Sequence, residues 1–133
     1  MPIAVVDHSS RRGWLVATAS GSLTLAEILS FIQTTRAAPT RRMAPLFFDA
    51  RGATTSMTEN DVEQVISVVR EAVLRDGPRG HVAIVADDDR VYTLMLLYET
   101  RCVDLGIRLI RVFRQVPDAE RWLEAVTAAR HFQ

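Results

Sequence analysis

The sequence predicts one α/β domain with a mostly parallel five-stranded sheet, and three observations carry that expectation. Five short apolar runs are separated by segments whose apolar residues recur at helical spacing. From the third run onward every strand is followed by such a segment, the alternation that right-handed β-α-β crossovers and a parallel sheet require. The chain is 133 residues long, 48% hydrophobic and 24% charged, which suits one packed core and not a disordered chain. No internal repeat, linker or low-complexity segment divides it, so residues 1–133 are read as a single domain.

The elements follow in order. Ile3-Ala4-Val5-Val6 reads as a strand, stopped by the polar run His8 to Arg12 and by Gly13. Residues Trp14 to Ala19 read as a second strand, close enough to pair with the first as an antiparallel hairpin. Thr24 and Glu27 have the spacing of a capping box, and Leu25, Ile28, Leu29 and Ile32 give the helix behind it one apolar stripe. That helix is expected to end before Pro39 in a basic loop of Arg36, Arg41 and Arg42. Leu46-Phe47-Phe48 is a buried strand closing on Asp49, followed by a polar loop from Arg51 to Ser56.

Thr58 then caps a second helix, with Glu59 and Asp61 favoured at its positive end. Val62, Val65, Ile66, Val69 and Val73 form its inner face, and Asp76-Gly77-Pro78 ends it. Val82 to Ala86 is apolar throughout, as a strand covered on both faces should be. Asp87-Asp88-Asp89 opens a third helix with the stripe Val91, Leu94, Met95, Tyr98 and Cys102, and Gly106 fits its C-terminal cap. Leu109 to Phe113 supplies the fifth strand. Pro117 suits the first turn of a fourth helix, with Ala119, Trp122, Leu123 and Val126 inward. The order is β-β-α-β-α-β-α-β-α.

Composition excludes several functions. Sixteen basic residues, all Arg, balance sixteen acidic ones, so no net field draws the chain to nucleic acid or anionic lipid. A lone Cys102 forms no internal disulfide and no zinc cluster, and its place in an apolar stripe marks it as a small buried hydrophobe. No stretch approaches the roughly 20 apolar residues of a membrane span, and no basic start leads into an apolar run, so the cytoplasm is the expected compartment. His8, His81 and His131 stand outside any catalytic or zinc-protease spacing, and no Gly-rich phosphate loop occurs. Neither a cofactor nor a metal is expected, and the chain is read as a non-enzyme.

Together with this order, three groups of residues resemble the STAS superfamily of sulphate transporters and anti-sigma factor antagonists, and most closely its small bacterial anti-sigma-factor-antagonist-like (STAS/SEC14) branch. They are Gly21-Ser22-Leu23-Thr24, then Leu46 to Gly52, and then Val82 to Asp87 with Arg111-Val112-Phe113 and Ala119 to Leu123. The resemblance implies a regulatory, protein-binding module of bacterial signalling, or alternatively a SEC14-like carrier of a lipid or another small apolar ligand. It also implies a phosphorylatable hydroxyl at the start of the second helix, where Thr58 is the positional match. The family's usual acidic residue before the hydroxyls and Gly after them are missing from Thr54-Thr55-Ser56-Met57-Thr58-Glu59.

In open α/β sheets, ligands meet the loops at the carboxyl ends of the strands. Asp49, Arg51, Thr54, Thr55, Ser56 and Thr58 after the third strand, with Asp87 and Asp88 after the fourth, are therefore the expected partner- or ligand-binding edge. An Asp49–Asp87 carboxylate pair is the only enzymatic arrangement this edge suggests, and Tyr92, beside the stripe of the third helix, is an alternative contact point. A regulatory protein partner and a small apolar ligand are the expected kinds of partner, with a homodimer open. Two features separate them: a pocket between sheet and helices points to the carrier, a closed core with an exposed apolar loop patch to the module.

Overall fold

A computed structural model of the chain describes residues 3–6 and 13–131. The expected hairpin loop, with His8, Ser9 and Ser10, lies outside the described residues. Strands β1 (Ile3–Val6), β2 (Leu15–Ala19) and β3 (Gly21–Leu23) are followed by helices α1 (Leu25–Arg36) and α2 (Pro39–Met43). Strands β4 (Leu46–Asp49) and β5 (Ala53–Thr55) lead into α3 (Glu59–Asp76), and β6 (Val82–Val85) into α4 (Asp89–Asp104). Strand β7 (Ile110–Phe113) and α5 (Val116–His131) complete the chain.

The main sheet has the order β1-β2-β4-β6-β7, antiparallel between β1 and β2 and parallel elsewhere. This is the expected class, with an antiparallel edge strand. Its pleat sends alternate residues to two cores. Leu46 and Phe48 of β4, Val82 and Ile84 of β6 and Ile110 and Val112 of β7 face α1, α3 and α4. Phe47, Ala83 and Val85 face α5, where they meet Ala119 and Leu123. All four residues of β6 are buried, as its unbroken apolar run requires.

The caps follow the sequence closely. Thr58 and Asp61 form a full capping box: the Thr58 amide donates to Asp61 Oδ2 at 2.9 Å, and the Asp61 amide donates to Thr58 Oγ1 at 3.2 Å. At α1 only half of the box forms, because the Glu27 carboxylate receives the Thr24 hydroxyl at 2.7 Å and leaves the backbone amide. Helix α4 ends in a Schellman motif around Gly106 at φ +83°: the Ile107 amide donates to Cys102 O at 2.8 Å and the Gly106 amide to Val103 O at 2.9 Å.

Three expectations need correction. The loop after Asp49 contains β5, which pairs in parallel with β3 as a separate two-stranded sheet. Its Ala53 is 1% exposed, so burial outweighs the polar composition around it. The basic loop is not a loop: Arg36 ends α1 with only 6% exposure, and Arg41 and Arg42 lie in α2, whose first residue Pro39 has its φ preset for a helix. Trp122 is half-buried at the rim of the α5 core, edge-on to His81 with ring centroids 5.8 Å apart and tilted against Phe113 at 5.9 Å. Trp14, by contrast, is 3% exposed and stacks on Phe47.

One contact occupies the middle of the far edge of the sheet. The outward amide of Val112 on β7 donates to Glu99 Oε1 of α4 at 2.7 Å.

These placements rank two substitutions in α5. Leu123 is fully enclosed, so Leu123→Ala is expected to cost about 2–5 kcal/mol. Trp122→Ala, at the rim, is expected to cost about 1–3 kcal/mol, less than the loss of a fully buried Trp. Denaturant melts of both variants check the ranking, and a larger loss for Trp122→Ala would place it in the core after all.

Candidate functional site

The carboxyl edge brings together the residues expected there, and all but Thr54 and Ser56 are engaged by their own neighbours. Asp49 receives Arg51 side-on, Nε to Oδ1 at 2.9 Å and Nη2 to Oδ2 at 2.8 Å, and the Arg51 amide also donates to Oδ1. That pairing holds the Asp49 carboxyl below the usual carboxylate range. Asp87 accepts the Gly52 amide at 3.0 Å, tying the loop after β4 to the loop after β6. Asp88 caps α4 through the Val91 amide, and Asp89 pairs with Arg114 at 2.9 Å. Thr55 Oγ1 donates to Leu23 O across the small sheet and accepts the Met57 amide, while Thr58 is committed to its cap. Thr54 and Ser56 are exposed. Tyr92 is half-buried, with the Arg114 guanidinium 4.0 Å above its ring. Among the described residues no group of three His, Cys, Asp or Glu side chains converges as a metal site would need.

The larger feature was not anticipated by residue. A cavity of about 510 Å³ lies between the sheet and helices α1, α3 and α4. Ile28 and Phe31 of α1, Val65 and Val69 of α3, Leu94 and Met95 of α4, and Phe48 and Ile84 of the sheet wall it. These residues carry the helical and strand periods read from the sequence. Periodicity gives the direction in which a side chain points and leaves open whether it reaches a neighbour, so a cavity wall and a solid core share one pattern.

Nearly all residues around the cavity are buried or half-buried. The exposed ones are Pro78, Gly106 and Arg108. They lie on the α3–β6 and α4–β7 connections, so the cavity reaches the surface at the amino-terminal edge of the parallel strands, opposite the edge expected from the sequence. Its other end is closed by Leu23, Thr55 and Met57.

The polar groups of the cavity gather at that mouth. Arg36 Nη2 donates to Gly77 O at 2.6 Å, the C-cap carbonyl of α3, and Arg79 Nη1 donates to Thr35 Oγ1 at 3.2 Å. Cations suit the carbonyl ends of helices. Those two bonds leave Arg36 Nε and both Nε and Nη2 of Arg79 buried with no hydrogen-bond partner among the described residues. Burial pulls the Arg79 guanidinium down to about 10 and moves Arg36 in the same direction. No carboxylate is among the described residues that line the cavity.

Tyr98 also lines it, one turn before Cys102, and burial pushes the titration of its hydroxyl up. Burial likewise pushes the Cys102 thiol up to about 11, so it stays protonated and inert. Arg79 is held in place by its neighbour. The Gly80 amide donates to Arg42 O at 2.8 Å, and a Cβ at Gly80 would stand 2.5 Å from Met43 O. Only glycine permits that approach of the chain to α2.

No protein-family model matches the chain, and no curated protein matches it. Among solved structures it is similar to the crystal structure of an uncharacterized protein of the DUF3478 family, with a SpoIIAA-like fold, from Shewanella loihica PV-4. The two share 16% sequence identity over 91% of this chain and 93% of that one, with a TM-score of 0.54. The chain therefore has the SpoIIAA-like fold that the STAS resemblance implies.

Proposed function

We propose that this domain is a non-enzymatic binding protein that encloses a small apolar or amphipathic molecule between its sheet and helices α1, α3 and α4, the carrier alternative of the sequence reading. The cavity is the observation that carries it. Its volume of about 510 Å³ falls within the roughly 300–1,000 Å³ of small-molecule sites. Left without an occupant, the side chains lining such a space forfeit the contacts that a packed core would give them. Walls of Val, Ile, Leu and Phe give water few partners, so an apolar occupant is the better filling.

A direct test uses native mass spectrometry of protein purified from its own host, followed by solvent extraction. The expected result is a mass increment that extraction removes. Binding is then measured with the neutral fluorophore N-phenyl-1-naphthylamine. Val65 is 4% exposed and on the cavity wall, so Val65→Phe is expected to fill space, preserve the melting temperature and abolish the fluorescence gain. A wild-type protein that carries no extractable molecule and gives no fluorescence gain would refute the carrier reading.

A protein-binding module of STAS type remains the second reading, favoured by the rigid turn at the carboxyl edge. There β3–β5 pairing and the Asp49–Arg51 ion pair hold Thr54 and Ser56 exposed beside a half-exposed Arg51. Because Thr55 bonds within the turn, the informative change is Arg51→Glu with Ser56→Ala. The variant is expected to melt close to wild type and, if this turn is the interface, to lose a protein partner captured from the host. Unchanged capture would remove the turn from consideration.

A further inference from the structure

Resting on the carrier reading, we propose that the mouth of the cavity is a carboxylate site built on Arg79, with Arg36 beside it, and that the occupant is a single-chain carboxylic acid of the fatty-acid kind. The argument begins with which edge of Arg79 is left over. A guanidinium presents Nε and Nη2 as a fork that matches the two oxygens of a carboxylate. The chain uses this fork twice elsewhere: Arg51 donates Nε and Nη2 to Asp49, and Arg75 donates the same pair to Asp76. Arg79 spends Nη1 on Thr35, and its buried Nε and Nη2 have no partner among the described residues. The unfilled fork is thus the one that this protein elsewhere fills with a carboxylate; both its nitrogens are covered in the empty cavity, so an anion engages them by drawing the Arg79 side chain toward the space it lines.

A buried guanidinium with two of its three nitrogens unmet is costly and asks for an anion. Among the described residues lining the cavity there is no acidic side chain to supply one, and Asp76, the nearest acidic influence on Arg36, is already taken by Arg75. Arg36 Nε is a further unmet donor at the same end, and the exposed Arg108 stands at the rim. Behind this cationic mouth the walls are apolar as far as Leu23 and Met57. One charged end at the surface and one closed apolar end match a molecule with one head and one tail.

The test compares cis-parinaric acid with its methyl ester, which have the same tail and differ by the charge of the head. Wild type is expected to bind the acid at least about tenfold more tightly, as befits a buried charge-assisted pair. Arg79→Met, which keeps the length of the side chain and removes the fork, is expected to bind acid and ester alike while retaining the wild-type affinity for the ester. Without ligand, Arg79→Met is also expected to melt no lower than wild type, since it removes an unpaired buried charge. Equal binding of acid and ester by wild type, or an acid preference that survives in Arg79→Met, would overturn the carboxylate site and leave the carrier reading standing. A monoalkyl phosphate that outcompetes the acid of equal chain length would overturn the choice of head group. Failure of wild type to bind either probe would overturn the single-chain acid as occupant, while N-phenyl-1-naphthylamine decides the carrier reading separately. Should Arg79→Met not fold, the acid-to-ester ratio of the wild-type protein decides alone.

Discussion

Everything in this fold depends on the central strands being buried on both faces. Phe47, Ala83 and Val85 turn to α5, and Phe48, Val82 and Ile84 turn to the three other long helices. On the α5 side the fit is close, with Ala83, Ala119 and Leu123 all fully enclosed. On the opposite side α1, α3 and α4 share one sheet face, and the volume between them is not filled by their side chains. The single helix makes the solid core and the group of three makes the cavity. Such a division lets one face supply stability while the other is open to occupation.

The two ends of the sheet differ in how their polar groups are met. At the carboxyl edge Asp49, Asp61, Asp87 and Asp88 each accept from a neighbouring amide or guanidinium, so charge there is spent on caps and turns. At the amino edge the C-terminal ends of α1 and α3 are met by Arg36 and Arg79, and there Arg36 Nε and Nε and Nη2 of Arg79 find no partner among the described residues. A polar site that is complete has little left to offer a ligand, and an incomplete one does. This contrast, and not the concentration of charge, distinguishes the two ends.

The sequence revealed elements long enough to show a period. Its five sheet strands and four long helices are where their apolar spacing puts them, and Thr58, Asp88 and Gly106 act as caps. Strands β3 and β5 and helix α2 have three to five residues each, too few for any period to be read. The carboxyl-edge residues lie together because they follow neighbouring strands, whose ends are easy to locate, but their pairing within the edge is not visible in one dimension. Arg79 was invisible for another reason. It follows Gly77-Pro78 in what reads as an ordinary polar connection, and its inward placement comes from the approach of Gly80 to α2, a contact between segments nearly forty residues apart in the chain.

The bond from the Val112 amide to Glu99 has a bearing on how copies of the chain meet one another. A strand at the end of a sheet normally offers its outward amides and carbonyls to any extended segment that passes, which is the common route to edge-to-edge aggregation. Here the outward amide in the middle of β7 already has a charged acceptor at 2.7 Å, supplied by the helix that roofs the cavity. An incoming strand would have to displace that half-buried carboxylate to pair with this amide. The middle position of β7 is therefore already taken when a second molecule arrives.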